Sequence, residues 1–333
     1  MAGGLIMKKQ SNGPFRAFID KYLQLRRSLG SILRGAEYAL NKFDLYLSQH
    51  FPDVKTVTKP MIVEYLQTSN VQASTLYLRF VHLRQFCRFL FQLNPHTYVP
   101  EPKLIKQGPT VRLPHIYTME EAIELIKLAR TLTPNESLSP HTYSTLLSLL
   151  WVSGLRIREA LRLNLEDVDT DNAVLYIRES KFFKSRLVPL TLSTAAALET
   201  YKKLRAEYGY DQRPAAPFFI NRLSRRCSYS AVSTTFRALI RQLGIRTVQG
   251  RDPRLHDFRH TFATRYLNEV YRKGKDPNAS LPLLATYLGH VNISHTQVYL
   301  HPSYDLLATV GQKFYEHIHK SDKHPRGGRC EQI

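Results

Sequence analysis

Four separated stretches of the sequence carry side chains that could act together on one phosphoryl group. Each stretch contributes Arg, Lys, His or Tyr rather than a cluster of carboxylates. The stretches are SGLRIREAL with Arg156, SKFFKSR with Lys181, PRLHDFRHTFATRYL with His256 and Arg259, and LGHVNISHTQVYLH with His290 and Tyr299. A guanidinium fork neutralises two phosphate oxygens, histidine adds a hydrogen bond, and lysine can protonate a leaving oxygen. These side-chain types therefore favour phosphoryl transfer.

The same stretches also restrict the mechanism of such a phosphoryl transfer. No carboxylate cage for Mg²⁺ is visible in the sequence, which argues against a two-metal nuclease. A metal-free site needs an activated water or a protein nucleophile, and a tyrosine hydroxyl can serve by forming a phosphodiester. Taken singly, each stretch stays ambiguous, because an Arg near a helix start or a Lys in a turn is most often a surface residue.

Helices are predicted on either side of Gly154, where the first of these stretches lies. Thr118 with Glu121 three residues later forms a capping box and predicts a helix start. An apolar run from Tyr143 to Val152 predicts a second helix that ends before Gly154. The glycine would turn the chain and place the following arginine at or near the start of another helix.

The hydrophobic period then changes from helical to extended. Residues 173–179 (AVLYIRE) and 186–191 (RLVPLT) are apolar and β-branched, and they predict a β-hairpin around SKFFKS. Helices are predicted again after Pro189. Residues 268–282 (NEVYRKGKDPNASLP) are predicted to form a solvated loop, with an added contact to DNA or to a partner as the alternative.

The first hundred residues predict short helices throughout. Two apolar stripes at helical spacing are visible: Phe18, Tyr22, Leu25 and Leu29; and Leu76, Phe80, Leu83, Phe86 or Cys87, and Leu90. Arg79, Arg84 and Arg88 fall largely off the second stripe. They could form a solvated face, which is the usual case, or rest on a DNA groove.

Composition restricts the class of protein. The chain has 333 residues, enough for two domains, and Lys+Arg 47 against Asp+Glu 27 give a formal net charge of +20. Residues 1–105 hold 14 Lys/Arg and 6 Asp/Glu, or +8, so the other part carries +12. Two basic halves suggest a polyanion bound by both, although ribosome-associated or simply basic proteins look similar. Three widely spaced cysteines favour neither a disulfide framework nor a zinc site.

Taken in order, the motifs resemble a known family. GLRIREAL, the SK of the turn before RLVPL, HDFRHTFAT and LGHVNISHTQVY are similar to the signature of the tyrosine site-specific recombinases, the phage-integrase and Xer-like group. The resemblance covers residues 112–304, and more loosely the N-terminal helices. It implies a mainly α fold with a small antiparallel β-sheet, built from an N-terminal helical-bundle (SAM-like) core-binding domain and a C-terminal α+β catalytic domain. The expected divisions are a flexible N-terminus 1–14, a DNA-clamp domain 15–105, a linker 106–117, a catalytic domain 118–318 and a flexible tail 319–333.

The resemblance also implies roles for individual residues. Tyr299 would be the nucleophile, with Tyr304 as its nearest competitor. The remaining catalytic set would be Arg156, Lys181, His256, Arg259 and His290, with Glu159 and His260 in support. Lys184 is the alternative to Lys181. DNA-binding candidates are Arg79, Arg84, Arg88, Lys184, Arg186 and Arg254.

The implied activity is the cutting and rejoining of duplex DNA through a 3′-phosphotyrosine bond, with neither metal nor ATP as cofactor. Strand exchange between two paired sites in a homotetramer, in integration or transposition, is the expected setting. Exchange of a C-terminal tail between subunits is possible under this reading, as is packing of the tail on its own domain. A prokaryotic, cytoplasmic, nucleoid-associated protein is expected. The alternatives are a type IB topoisomerase-like enzyme and a non-catalytic DNA-binding protein.

Overall fold

A computed structural model describes residues 13–31, 33–105, 112–134, 136–178, 185–290, 292 and 294–297. Lys181, Lys184 and Tyr299 lie outside the described residues, as do most of the N-terminal segment 1–14 and all of the tail 319–333. The chain divides into two compact units, with the boundary between Arg112 and Leu113. That boundary falls inside the stretch predicted to be the linker. Among the described helices, none combines the length and apolarity needed to cross a membrane.

The described part of the first unit consists of helices. They are α1 (Arg16–Ser28), α2 (Arg34–His50), α3 (Lys59–Thr68) and α4 (Ala73–Leu93). The apolar stripe predicted for α4 is confirmed, because Phe80, Leu83, Phe86, Cys87 and Leu90 are all buried. This stripe packs against α1 and α2 and forms the core of the unit.

The stripe predicted for α1 is correct at Tyr22, which is buried, and wrong at its other three positions. Phe18, Leu25 and Leu29 are 41%, 50% and 72% exposed, whereas Ile19 and Leu23 are buried. Both faces of α1 carry apolar residues at spacings of three or four, so periodicity alone fits either face. In the folded unit, the face of Ile19 and Leu23 packs into the core against α2 and α4.

The second unit is a helical core with a small sheet. Its elements are α5 (Met119–Arg130), α6 (Ser139–Ser153), α7 (Ile157–Arg162), a 3₁₀ turn (Leu165–Asp167), β1 (Val168–Asp169), β2 (Val174–Ile177), β3 (Arg186–Pro189), α8 (Leu192–Glu207), α9 (Tyr229–Gln242), α10 (Asp257–Arg272), α11 (Pro277–Leu288) and α12 (Ser294–Gln297). Helix α6 lies at the centre and contacts α5, α7, α8 and α10. The capping box of Thr118 and Glu121 is confirmed at the start of α5.

The predicted hairpin is confirmed, and it belongs to a three-stranded antiparallel sheet in the order β1-β2-β3. Leu175 pairs with Val188, and Ile177 pairs with Arg186 at the end next to the turn. Strand β1 was not predicted from the sequence. It has only two residues, too few to show an alternating pattern.

Residues 268–282 are mostly helical, so the prediction of a loop there is wrong. Helix α10 continues to Arg272 and α11 begins at Pro277, which leaves only residues 273–276 as a connection. Proline at a helix start needs no N–H partner, and Asp276 caps the helix by accepting a hydrogen bond from the Asn278 N–H. Two prolines and a glycine made this segment look like a loop in the sequence.

Candidate functional site

Arg156 is placed by a sharp turn between α6 and α7. Gly154 ends α6 with φ of +60°, and a Cβ there would lie 2.6 Å from Cδ1 of Phe262. Only glycine fits both the left-handed backbone and the close ring. The turn leaves Arg156 as the residue before α7, where its N–H donates to Oε2 of Glu159 at 3.0 Å. The sequence-based placement of Arg156 at a helix start is confirmed.

Glu159 is a buried carboxylate held between two guanidinium groups. Its side chain is 8% exposed, and it accepts hydrogen bonds from Nη1 of Arg156 at 2.7 Å and from Nη2 of Arg186 at 2.9 Å. Burial by itself raises the pKa of Glu159, but the two arginines outweigh burial and hold this pKa at about 2. Glu159 is therefore ionised at neutral pH, and its charge orients both arginines.

Three arginines also converge on the C-terminal end of α11. Its carbonyl cluster, formed by the carbonyl oxygens of Tyr287, Leu288 and Gly289, accepts hydrogen bonds from arginines that lie in β3, in α10 and directly before α7. The bonds are Arg186 Nε to Tyr287 O at 2.9 Å, Arg259 Nη2 to Leu288 O at 2.5 Å, and Arg156 Nη2 to Gly289 O at 3.0 Å. A helix C-terminus carries partial negative charge, so cations are stabilised there.

Arg259 connects the ends of two helices. It lies in the first turn of α10, is 1% exposed, and donates from Nη1 to the carbonyl of Gly154 at 3.0 Å. Through its bond to Leu288 it also holds the end of α11. Arg156 and Arg259 thus share the carbonyl cluster, although 103 positions separate them in the sequence. That these two arginines belong to one catalytic site stays a prediction.

His256 precedes α10 and stays exposed, whereas His260 one turn later is half-buried. Their rings meet edge to face, with centroids 5.1 Å apart. Partial desolvation of the ring, His260 and Arg259 together lower the pKa of His256 to about 4. A neutral imidazole at pH 7 can accept a proton as well as donate a hydrogen bond.

His290 immediately follows the carbonyl cluster. Its Nδ1 lies 2.8 Å from the hydroxyl oxygen of Thr296, a fully buried residue of α12. This contact leaves Nε2 as the ring nitrogen that faces away from Thr296. Tyr299 follows Thr296 by three residues and lies outside the described residues. Thr296 was missed in the sequence, where its position between His290 and Tyr299 was the available signal.

Arg156 retains donors for a ligand. Its Nη1 donates to Glu159 and to Leu288 O at 3.4 Å, and its Nη2 donates to Gly289 O. Within the described residues, Nε has no hydrogen-bond partner, and the side chain is 26% exposed. A guanidinium has five N–H groups, so Nε–H and one Nη2–H remain. These neighbouring donors form a fork that suits two oxygens of a phosphate.

The other DNA-binding candidates have varied surroundings. Arg84 donates from Nε to the carbonyl of Pro100 at 2.8 Å, and Arg79 lies 5.9 Å from the ring centre of Tyr38. Arg88 is exposed on α4. Arg254 is 39% exposed and pairs with Asp257 at 2.9 Å. These arginines stay predictions as DNA contacts. In the described part of the chain, no group of three His, Cys, Asp or Glu residues is arranged to hold a metal ion.

The fold and the site define a class. The chain belongs to the phage integrase family, whose family model matches residues 117–305. It is a tyrosine recombinase, an enzyme that cuts and rejoins DNA in site-specific recombination.

Individual relatives agree with this class. The chain is 38% identical to an integrase/recombinase of Sinorhizobium fredii over 88% of this chain and 94% of the relative. It is 29% identical to the tyrosine recombinase XerC of Thermodesulfovibrio yellowstonii over 69% of this chain and 72% of that protein. Among solved structures, the XerH recombinase bound to a palindromic difH substrate matches with a TM-score of 0.63 and 20% identity, covering 89% of this chain and 84% of that one. At 20% identity, this match shows only that the two chains share a fold.

Proposed function

We propose that the four motifs form one catalytic site, in which Tyr299 attacks a scissile DNA phosphate. The observation that carries this proposal is the convergence of Arg156, Arg259 and the segment of His290 on the carbonyl cluster of α11. Arginines from two remote motifs are oriented there by backbone and carboxylate oxygens, so they are organised before any substrate binds. Such preorganised positive charge stabilises the charge that develops on phosphate oxygens in the transition state.

The proposed steps balance without an external energy source. The hydroxyl oxygen of Tyr299 bonds to phosphorus, and the bond from phosphorus to the 5′-oxygen breaks. Lys181 protonates the departing 5′-oxygen, and the neutral imidazole of His256 accepts the proton of the tyrosine hydroxyl. A 3′-phosphotyrosine and a free 5′-hydroxyl result. Attack of a 5′-hydroxyl on the phosphotyrosine reverses these bond changes and rejoins the strand, so the phosphodiester is conserved.

The proposed substrate is duplex DNA that carries paired recombination sites. The net charge of +20 supports binding to a polyanion. A lambda integrase that is similar in fold was solved as a dimer bound to a core site, with a TM-score of 0.60. For this chain we infer a homotetramer on two sites, in the cytoplasm and associated with the nucleoid.

A nicked suicide duplex tests the proposal. Such a duplex releases a short fragment after cleavage, so the covalent protein–DNA adduct accumulates and can be measured by denaturing electrophoresis. We expect an adduct with the wild type and none with Tyr299→Phe, because the phenyl ring lacks the nucleophile. Tyr304→Phe is the control and should form the adduct. An adduct that survives in Tyr299→Phe would refute the assignment, and loss in Tyr304→Phe alone would move the nucleophile.

A further inference from the structure

We propose that Arg186 is a positioning residue of the recombinase site, rather than a DNA contact. It would join the turn that carries Lys181 to the two segments that carry Arg156 and His290. This inference rests on the proposed function, since it concerns how the proposed catalytic groups are held. Four features support it: the contacts of Arg186, its place in the hairpin, its close approach to Gly289, and its effect on Glu159.

The contacts of Arg186 use every nitrogen of its guanidinium inside the protein. Nη1 and Nη2 donate to Oε1 and Oε2 of Glu159 at 3.1 and 2.9 Å, and Nε donates to the carbonyl of Tyr287 at 2.9 Å. This bidentate contact fixes the relative orientation of the guanidinium and the carboxylate. The side chain is 12% exposed, whereas the side chain of Arg156 is 26% exposed. Arg186 therefore offers little surface to DNA.

Arg186 lies at the start of β3, so its contacts attach the hairpin to other parts of the second unit. It is the first residue of β3 and pairs with Ile177, the last residue of β2, at the end of the ladder next to the turn. Lys181 belongs to that turn. The strand that leads out of the turn is thus attached to α7 through Glu159 and to the end of α11 through Tyr287.

The space around Arg186 is shaped for it. Gly289 has φ of +67°, and a Cβ at this position would lie 2.8 Å from Nη1 of Arg186. The guanidinium therefore lies against the backbone where α11 ends, one residue before His290. A side chain at position 289 would displace Arg186, and this would disturb both the end of α11 and Glu159.

The charge of Arg186 also controls Glu159. Burial raises the pKa of Glu159, and the largest opposing effects are the hydrogen bond and charge of Arg186, followed by those of Arg156. Without Arg186, the pKa of Glu159 should rise, because burial would then face one guanidinium instead of two. A protonated Glu159 would hold Arg156 less firmly. Loss of Arg186 should therefore make cleavage sensitive to acid.

The test measures single-turnover cleavage of the nicked suicide duplex from pH 5 to pH 8, together with DNA affinity and thermal unfolding. Arg186→Gln should bind DNA as the wild type does, within about twofold. Its cleavage should be about 10- to 100-fold slower, as expected for misplaced catalytic groups. Its rate should also decline further at acidic pH, where the wild-type rate does not. Arg186→Lys keeps the charge but not the fork, so it should be slow without the added acid sensitivity.

Arg178→Gln is the matched control. Arg178 follows β2 on the other side of the same turn, pairs with Asp167 and Glu166, and is 59% exposed. Its loss removes a guanidinium–carboxylate contact at the same turn without touching Glu159, so its pH profile should stay that of the wild type. Adding Arg186→Gln to Glu159→Gln should slow cleavage by a smaller factor than Arg186→Gln slows the wild type, because the contact that joins the two residues is already altered and only the contact to Tyr287 remains to be lost.

Several outcomes would overturn the proposal. One is an Arg186→Gln protein that cleaves at the wild-type rate with the wild-type pH profile. Another is a loss of DNA affinity that accounts for the whole decrease in cleavage, which would make Arg186 a DNA contact. If Arg186→Gln does not fold, an Arg186→Lys protein with wild-type cleavage would equally refute the fork. Failure of the wild type to form an adduct would instead refute the proposed function.

Discussion

At the scale of single residues, the site depends on backbone groups as much as on side chains. The carbonyl oxygens of Tyr287, Leu288 and Gly289 orient the arginines, and Glu159 holds two of these arginines by charge. Gly289 is central because its backbone is left-handed and its Cα faces Arg186. Even one added methyl group at Gly289 should therefore lower the stability of the second unit.

Gly289→Ala should destabilise the second unit more than Gly274→Ala does. Both glycines have positive φ, +67° and +72°. Backbone strain should therefore lower the free energy of unfolding of both variants by about 1–2 kcal/mol. Only at Gly289 does the new methyl meet a neighbour, Nη1 of Arg186 at 2.8 Å, while nothing lies within 4 Å at Gly274. Overpacking should add a further ~1–3 kcal/mol. Denaturant unfolding measures the difference, and equal losses for both variants would contradict the contact.

At the scale of elements, α10 is held by the segment that enters the second unit. The ring of Tyr117 stacks on Phe258 with centroids 4.5 Å apart and planes at 17°. The N–H of Tyr117 donates to the hydroxyl of Thr261 at 3.0 Å, and both residues are buried. Since Arg259 lies on the same turns of α10, this segment helps to set the position of a proposed catalytic arginine.

Thr261→Val should lower the free energy of unfolding by about 1–3 kcal/mol. Valine has the shape of threonine but leaves the buried N–H of Tyr117 without its acceptor, which is the costly case for a hydrogen bond. Thr261→Ser keeps the hydroxyl and is the control, with a smaller loss from the missing methyl. Chemical denaturation compares the two variants. A serine variant as unstable as the valine variant would show that packing, not the hydrogen bond, matters at this position.

At the scale of the whole molecule, the charge of +20 is spread over both halves of the chain. The three arginines that meet at the end of α11 account for a small part of this charge. A DNA complex formed by such a protein releases counterions from phosphates, and its affinity depends on salt.

Affinity for duplex DNA should fall steeply as salt increases. If about 6–10 phosphates are contacted, the association constant should drop about 10³- to 10⁵-fold between 50 and 200 mM salt. Fluorescence anisotropy of a labelled duplex measures this slope. Arg88→Ala should reduce the slope by about one unit of charge if Arg88 meets a phosphate, whereas Arg186→Gln should leave the slope unchanged. A flat salt dependence would contradict an electrostatic DNA interface.

The sequence by itself determined the local elements and the chemistry. Three local features depend on residues close to one another in the chain, so the sequence alone predicts them. They are the capping box at Thr118, the turn at Gly154 and the hairpin whose second strand is RLVP. The order of the four motifs also identified the family, which the family match confirms. Where two faces of one helix were both apolar, as in α1, the sequence offered no basis for choosing between them.

Only the tertiary structure decided what each arginine contacts. Arg186 reads in the sequence as one more basic residue near a turn, and its partners lie 27 and 101 positions away at Glu159 and Tyr287. Arg259 likewise meets carbonyl groups of Gly154 and Leu288 that have no signature in the sequence. Backbone carbonyls are present in every residue, so which of them becomes a ligand depends on where helices end in space. That is why the sequence could propose site residues but could not predict their arrangement.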